Sequence, residues 1–485
     1  MKYSSIIPKT RRKDPSGTSS PGTNALIKAG YLDNVASGIW TMTPLALMVR
    51  RMIEVIIRQE MERIDALEVE LPILQPRPLW EESGRWLPLI SENVVFHLTD
   101  RKGADFVLSP TAEEIITSFA RKHLNGSDDM PVTFWQMARK FRDEFRARHG
   151  FIRGREFLLK DAYFFDTNQE GMKKSFEKMR TAYDAIFERC GFIYTTVEAG
   201  SEDIGGGRDL EYIALTENGG DSLLYCEDCS HGYSIKKTQN GAKCPKCNHG
   251  PLVERNGIQL GHITELQTDF SVKMNATFLN EANQRSPFWM GSAGIGVSRT
   301  FQSVVEQNHD KSGIVWPYHL APYQVCVIPA NPGMLEDAQA IYQALNTMGV
   351  RSIIDERNIG FGQSLDKIII PIAKYFKDIV NIKIIGDGSA ADILIEQIKI
   401  NELNNINLLT PMNRNKLIEY YNKSDVLFLH LNDIPAFKKV IPSKIFEYAT
   451  FNKPILAGVE GAAKKFLNKN LNDVKIFKPN DSNTA

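Results

Sequence analysis

The sequence predicts two architectures in one chain. The first part interleaves strands with helices, and the last part is an open, mostly parallel sheet of alternating β–α units. Three observations carry this. Apolar residues in 43–67 recur with helical period, and short β-rich runs follow to about residue 200. Beyond residue 322 short apolar runs alternate regularly with helical stretches. Composition shifts at the same point: residues 1–356 hold 23 Arg, 15 Asn and all six Trp, whereas 357–485 hold two Arg, 16 Asn and no Trp.

Taken in order, Thr43-Pro44 reads as an N-cap with a first-turn proline. Leu47, Met48, Met52, Ile53, Ile56 and Ile57 then mark a long amphipathic helix. "EVELPILQP" reads as a short strand closed by proline. "DFVLSPT", "PVTFWQMA", "EFLLKDAYFF" and "FIYTTVEA" read as further strands, with a helix over 169–190 between the last two. Residues 226–247 are punctuated by Cys and Gly, and "PFWMGSAGIGVSRTF" leads into a helix. "GIVWPYHLAPYQVCVIPAN" is a linker running into a new strand. In the last part, "QVCVIPA", "RSIID", "NIKIIG", "NINLLT", "VLFLHL", "PILAGV" and "VKIFKP" read as strands separated by helices.

At 485 residues the chain is expected to hold two or three domains. With 42% hydrophobic and 24% charged residues it is ordinary for a globular protein. No window approaches a membrane span, and the N-terminus has no signal-peptide pattern. Equal numbers of basic and acidic side chains, 58 each, exclude global attraction to nucleic acid. Four of the six cysteines form two CxxC pairs, which points to a reducing cytosol and a metal site rather than a disulfide scaffold. Cys226, Cys229, Cys244 and Cys247 have the spacing of two knuckles that close a tetrahedral thiolate cage on Zn²⁺. The alternative is four unbound thiols or disulfides. Cys190 and Cys326 are read as core thiols.

Within this balanced chain, "FRDEFRARHGFIRGREF" (141–157) packs five arginines into seventeen positions. Three readings are open: a solvated loop, a nucleic-acid backbone contact, or a triphosphate site suited to the planar, permanently charged guanidinium fork. Phe157 offers a stacking face for a base, and Glu144 an acceptor for an exocyclic amine or a hold on a neighbouring arginine. "GSAGIGVSR" (291–299) adds three glycines that permit close backbone approach and Arg299 at a helix start. Alone it is equally a tight strand-to-helix packing turn.

Together these segments resemble motifs 1, 2 and 3 of a class II aminoacyl-tRNA synthetase. "ASGIWTMTPLAL", "LQPRPLWEESGRW", "SPTAEE", "FRDEFRARHGFIRGREFLLKDAYFF", "GIQLGHI" and "GIVWPYHLAPYQV" resemble the bacterial-type prolyl-tRNA synthetases over roughly 1–356. The resemblance implies an α+β catalytic domain over 1–320, with an antiparallel sheet and helices, then the start of an anticodon-binding α/β domain at 321–356. It implies that Pro72 ends the motif 1 strand at a homodimer interface. Arg142 would hold the ATP α-phosphate and the substrate carboxylate. Glu144 and Phe157 would fix the adenine side, and Arg153 or Arg155 the outer phosphates. Gly294 and Gly296 would let the nucleotide approach, and Arg299 would bind the γ-phosphate. Thr111 and Glu113 would receive the amine of L-proline, with Asp161 and His262 near that pocket. The implied reaction is proline–tRNA ligation: ATP with Mg²⁺ activates proline to prolyl-adenylate, which is transferred to tRNA(Pro) in the cytoplasm, with no membrane involved. The chain departs from the family at Ala112, where histidine is usual, at Gln267, where glycine is usual, and at Ala293, where a larger side chain is usual. The Cys knuckle over 222–255, with its structural Zn²⁺, stands where many relatives carry a long editing domain.

After about residue 356 the pattern changes. "RNIGFGQSLDKIIIPIAKYF", "NIKIIGDGS", "YYNKSDVLFLHLND" and "IPSKIFEYATFNKPILAGVEG" resemble the donor-binding half of a GT-B family 4 glycosyltransferase over 357–480, making 357–485 a foreign α/β tail. That likeness implies a loop from Asn358 to Gln363, with Gly360 and Gly362, beside a nucleotide-sugar diphosphate, and Glu447 on the ribose. Lys439 stands where a second acidic residue is frequent. The acceptor half is absent, and "RSIID" would replace a missing strand. The alternative is an intact α/β module without catalysis. Impaired tRNA charging is therefore expected. Two other functions stay open: a family 4 glycosyltransferase-like nucleotide-sugar binder, and a synthetase-like binding or regulatory protein that does not charge tRNA.

Overall fold

The structure is a computed structural model that describes residues 2–11, 20–147, 149–199, 207–236, 238–311, 313–329, 335–355, 365–386, 391–410, 412–433 and 437–482. The chain divides into two compact units, Ile6–Gln324 and Val325–Ala485, the second also taking in Met1–Ser5.

The first unit is built on a nine-stranded sheet. Its path runs His231–Ser234, Asp221–Cys226, Leu252–Gln267, Trp289–Gly296, Glu156–Asp166, Val132–Phe141 and Leu67–Glu68. Asp209–Leu215 pairs with Leu252–Gln267 and with Tyr194–Ala199. Every pairing in this sheet is antiparallel except the last, Leu67–Glu68 on Val132–Phe141. Side chains alternate between its faces. On Glu156–Asp166, Lys160, Ala162 and Phe164 turn to one face, and Asp161, Tyr163 and Phe165 to the other.

The first of these faces is covered by the helices Gln169–Arg189, Pro44–Arg63 and Val297–Gln307. Their apolar stripes bury Phe176, Met179, Tyr183, Phe187, Val49, Ile53, Ile57, Phe301 and Val305 in one core. Gln169–Arg189 starts where Asn168 accepts a hydrogen bond from the Gly171 amide at 2.9 Å as its N-cap, and it agrees with the expected helix over 169–190 to one residue. Pro44 opens its helix as expected, but Thr43 does not cap it by side chain: its hydroxyl donates to Gly30 O at 2.8 Å.

The expected strand "EVELPILQP" is two strands in two sheets. Leu67–Glu68 joins the large sheet, and Leu74–Pro76 joins a small antiparallel sheet with Asp105–Leu108 and His97–Thr99. Between them the Leu71 amide donates to the Gln136 side chain at 3.0 Å, and Pro72, which has no N–H, cannot continue the ladder.

In the second unit all seven expected strands form, and all pair in parallel with helices between them. They form three sheets rather than one: Val325–Val327 with Ser352–Ile354, Ile382–Ile385 with Ile406–Leu409, and Leu427–His430, Ile455–Gly458 and Val474–Phe477 together. "RSIID" therefore pairs with the strand before it. The Asn358–Gln363 loop, with Gly360 and Gly362, lies outside the described residues. Glu447 is half-buried on the short helix Ser443–Tyr448.

Candidate active site

Three neighbouring strands supply the floor of the site. Gly294 pairs with Asp161 on one side and with His262 on the other, so all three positions sit side by side. Glycine is required twice here. A Cβ on Gly291 would fall 1.9 Å from the Phe164 ring, and one on Gly261 would fall 2.5 Å from Gly294 O. The strands meet because these positions have no side chain.

A cavity of about 350 Å³ opens above them, lined among others by Thr111, Glu113, Arg142, Asp161, His262 and Gly294. A smaller lobe of about 70 Å³ adjoins it, lined among others by Arg142, Arg153, Phe157, His262, Gly296 and Arg299. Arg142, Glu144, Leu159, His262 and Gly294 line both. The four residues expected around an amino acid thus fall in the larger lobe. Arg153, Phe157, Gly296 and Arg299, expected around a nucleotide, fall in the smaller. Arg155 lines neither: its Nε donates to Glu144 O at 3.2 Å and its guanidinium lies 3.7 Å from Asp143.

The larger lobe is organised by carboxylates. Glu113 accepts from the Thr111 hydroxyl and lies 3.4 Å from Arg85 Nη1, which also reaches Glu114 at 3.1 Å. Burial works to raise the Glu113 carboxyl, but Arg85 and Thr111 outweigh it and hold it below the usual carboxylate range. Behind it, burial lifts the Glu114 carboxyl to about 7 against the pull of Arg85, with Glu113 adding to the rise. Asp161 Oδ2 takes three donors: Lys140 at 2.9 Å, Tyr163 OH at 3.0 Å and Gln136 at 3.1 Å. Burial, with Glu113 and Asp161 nearby, pushes the Tyr163 phenol well above its usual range, so it stays a donor. Asp161 Oδ1 is buried with no hydrogen-bond partner.

The smaller lobe is organised by cations. Arg142 lies 5.3 Å from the Phe157 ring centre and donates to Pro110 O at 3.4 Å. Arg299 donates to Gln259 O at 3.0 Å. Burial, then repulsion from Arg142 and Arg153, pushes the Arg299 guanidinium down to about 10. Burial likewise depresses Arg142, and it outweighs Asp209 in holding His262 below the usual imidazole range. An anion bound among these arginines removes part of that cost.

Residues that sequence reasoning missed are Arg85, Lys140, Tyr163, Gln136 and Glu114. Arg85, Lys140, Gln136 and Glu114 act through partners distant in sequence, so no local pattern marks them; Tyr163 lies two positions from Asp161 on the same strand face, a spacing that could have found it. Of the departures, Gln267 has a left-handed backbone, φ +53°, at a bulge between Glu265 and Gln267, which is where glycine is favoured. Ala112 is fully buried, and its amide donates to Tyr163 OH at 3.0 Å. Ala293 alternates with Ser292 and Gly294 and belongs to the helix-covered core.

Away from this cavity, the Sγ atoms of Cys226, Cys229, Cys244 and Cys247 all lie within 4.8 Å of one another. Two pairs, Cys226–Cys247 and Cys229–Cys244, are 3.6 Å apart. Tetrahedral Zn²⁺ with bonds near ~2.3 Å needs sulfurs about 3.8 Å apart, so the donor set fits the ion.

Residues 96–308 match the family model for the tRNA synthetase class II core domain (G, H, P, S and T). Among curated proteins, the proline–tRNA ligase of Desulforamulus reducens is 29% identical over 512 positions, covering 74% of this chain and 90% of that protein. The same enzyme from Thermosipho melanesiensis is 29% identical, covering 78% and 94%, and that of Sulfurihydrogenibium sp. is 29% identical, covering 83% and 99%. Among solved structures, prolyl-tRNA synthetase from Cryptosporidium parvum, complexed with L-proline and AMP, superposes with a TM-score of 0.56 at 18% identity, covering 70% of this chain and 62% of that chain. The curated alignments are longer than the part of this chain they cover, so those relatives contain residues without a counterpart here. Sheet, glycine floor and matches together establish that this chain carries the class II tRNA synthetase core fold.

Proposed function

We infer that this chain is a proline–tRNA ligase. The observation that carries it is the shared wall of the two lobes. A carboxylate-lined pocket and an arginine-lined pocket meet at Arg142, where a carboxylate nucleophile and an α-phosphate must meet. Proline enters the larger lobe with its ammonium group toward Glu113, Thr111 and the free Oδ1 of Asp161. Its carboxylate faces Arg142 and attacks the α-phosphorus of ATP. The bond to the β-phosphate oxygen breaks, and pyrophosphate leaves along Arg153 and Arg299. Charge developing on the phosphate is met by guanidinium groups that donate no proton to it. The prolyl group then passes to the terminal ribose hydroxyl of tRNA(Pro), releasing AMP. Mg²⁺ entering with ATP would supply further charge neutralisation on the phosphates.

Zn²⁺ would sit in the four-cysteine cage as a structural ion. A second copy of the chain would cover the exposed apolar residues of the motif 1 region, Leu67, Ile73 and Leu74, as a homodimer. The cytoplasm is the matching compartment. Glu447 and the tail's glycosyltransferase likeness enter no step of this reaction, and the domain limits 1–320, 321–356 and 357–485 remain a reading of the sequence.

The test is proline-dependent ATP–pyrophosphate exchange, with Arg299→Ala as control. Loss of Arg299 is expected to cost about 2–4 kcal/mol of transition-state stabilisation. No exchange above that control overturns the reading.

A further inference from the structure

The turn in the middle of the motif 2 loop has two consecutive left-handed residues, His149 at φ +57° and Gly150 at φ +64°. A Cβ on Gly150 would fall 2.3 Å from Gln302 Oε1, so the Gln302 amide presses directly on the turn. It also holds both sides of it. Gln302 Nε2 donates to His149 O at 2.8 Å, and Gln302 Oε1 accepts from the Phe151 amide at 2.6 Å. The same Nε2 reaches Thr23 Oγ1 at 2.9 Å and Glu306 Oε1 at 3.3 Å. Glu306 in turn accepts from Ser20 Oγ and from the Gly22 amide at 3.1 Å. Gln302 and Glu306 are both buried, one turn apart on Val297–Gln307, the helix that carries Arg299 in its first turn.

We propose that Gln302 is a positioning residue for the nucleotide lobe. It ties the turn that leads into Phe151, Arg153 and Gly154, which form one wall of the lobe, to the helix that supplies Arg299 on the other. Left-handed backbone at a non-glycine residue persists only where neighbouring structure holds it. Within the turn the Ile152 amide donates to His149 O at 3.1 Å, and from outside it the Gln302 amide donates on one side and accepts on the other. The consequence is a fixed spacing between Arg153 and Arg299, the two cations assigned to the outer phosphates. The inference rests on the nucleotide reading of that lobe.

Gln302→Met keeps length and removes both bonds to the turn. Gln302→Glu keeps the acceptor and removes the donor. Thr23→Val removes a bond to Gln302 but none to the turn. In the exchange assay Gln302→Met should raise the KM for ATP about tenfold, the size expected from losing two hydrogen bonds that hold a loop. Gln302→Glu should raise it less, Thr23→Val should leave it unchanged, and the KM for proline should stay within about twofold in all three. Amide hydrogen exchange should speed up over 149–153 in Gln302→Met without any nucleotide present. A folded Gln302→Met with unchanged KM for ATP, or with ATP and proline KM rising together, overturns the proposal. So does failure of both Gln302 variants to fold, which makes the residue merely structural. Absence of exchange in the unaltered chain would sink the nucleotide reading instead, and the hydrogen-exchange result would still decide whether Gln302 holds the turn.

Discussion

At the scale of single residues, the sheet carries one side chain that the chemistry does not use. Lys160 is fully buried among the apolar residues under the helix Gln169–Arg189. Its ammonium donates to Tyr183 OH at 3.0 Å and lies 4.5 Å from the centre of that ring. Burial pushes it down to about 7, against a weaker pull from Asp161. The sign follows by linkage. Between pH 7 and the ordinary lysine value the unfolded chain holds a proton that the folded chain does not, so unfolding takes up a proton and stability rises with pH across that window. Below pH 7 both states are protonated and the full cost of the buried charge is present. Lys160→Met should therefore stabilise the unit by a few kcal/mol at pH 6.5 and by clearly less at pH 9.5. All six tryptophans, Trp40 through Trp316, belong to the first unit, so their fluorescence in denaturant reports on that unit alone. Equal shifts of the midpoint at both pH values would count against a charged Lys160. At this scale the sequence was legible where function concentrates in runs: the arginine loop and the glycine strand both line the cavity. It was not legible where function depends on cross-strand neighbours. Nothing near Lys140 announces that it converges on Asp161, and only the register of Val132–Phe141 on Glu156–Asp166 brings Gln136 opposite it.

At the scale of elements, periodicity and caps made three helices and five β-runs of the first unit readable, with the seven strands of the second, whereas Asp209–Leu215, Asp221–Cys226 and the longest strand were not. Leu252–Gln267 is interrupted by Gly257 and Gly261, and it alternates poorly because much of it is buried on both faces. Yet it supports the site, carrying Gln259 and His262 in its second half. Its first half pairs with Asp221–Cys226 from the cysteine knuckle. That pairing gives the knuckle a structural consequence. One zinc per chain should copurify, and the pair Cys226→Ser with Cys229→Ser should release it. Structural zinc contributes on the order of ~10 kcal/mol to small knuckles, so without it the loop between Cys226 and Pro251 should open. The segment Gly261–Gln267, locked to Met290–Ile295, should hold. The expected outcome is new proteolytic cleavage inside 226–251 with proline-dependent exchange largely retained. Elemental analysis without stoichiometric metal, or exchange abolished together with the metal, would contradict this assignment.

At the scale of the whole chain, the two units differ in what they offer to RNA. The first holds the arginines that line the smaller lobe of the cavity. The residues from 357 onward hold Arg357 and Arg414 and no other arginine. Arginine is the side chain best suited to bidentate phosphate and base contacts, so this stretch is poorly equipped for specific readout. Its lysines still give weak attraction that fades with salt. Activation needs only the cavity of the first unit. Transfer also needs the right tRNA held at a distance from that cavity, and selectivity of that kind comes from base contacts rather than from net charge. The expected outcome is a chain that forms prolyl-adenylate well and charges tRNA(Pro) weakly, with a raised KM for tRNA and an ordinary KM for proline. Exchange and aminoacylation are to be measured on one preparation, and again after residues 357–485 are replaced by the matching segment of a proline–tRNA ligase such as that of Desulforamulus reducens. A higher KM for tRNA in the natural chain than in the exchanged one supports the argument. Equal charging by both would mean that the parallel-sheet unit reads tRNA with lysines and backbone amides, and that its lack of arginine is no handicap.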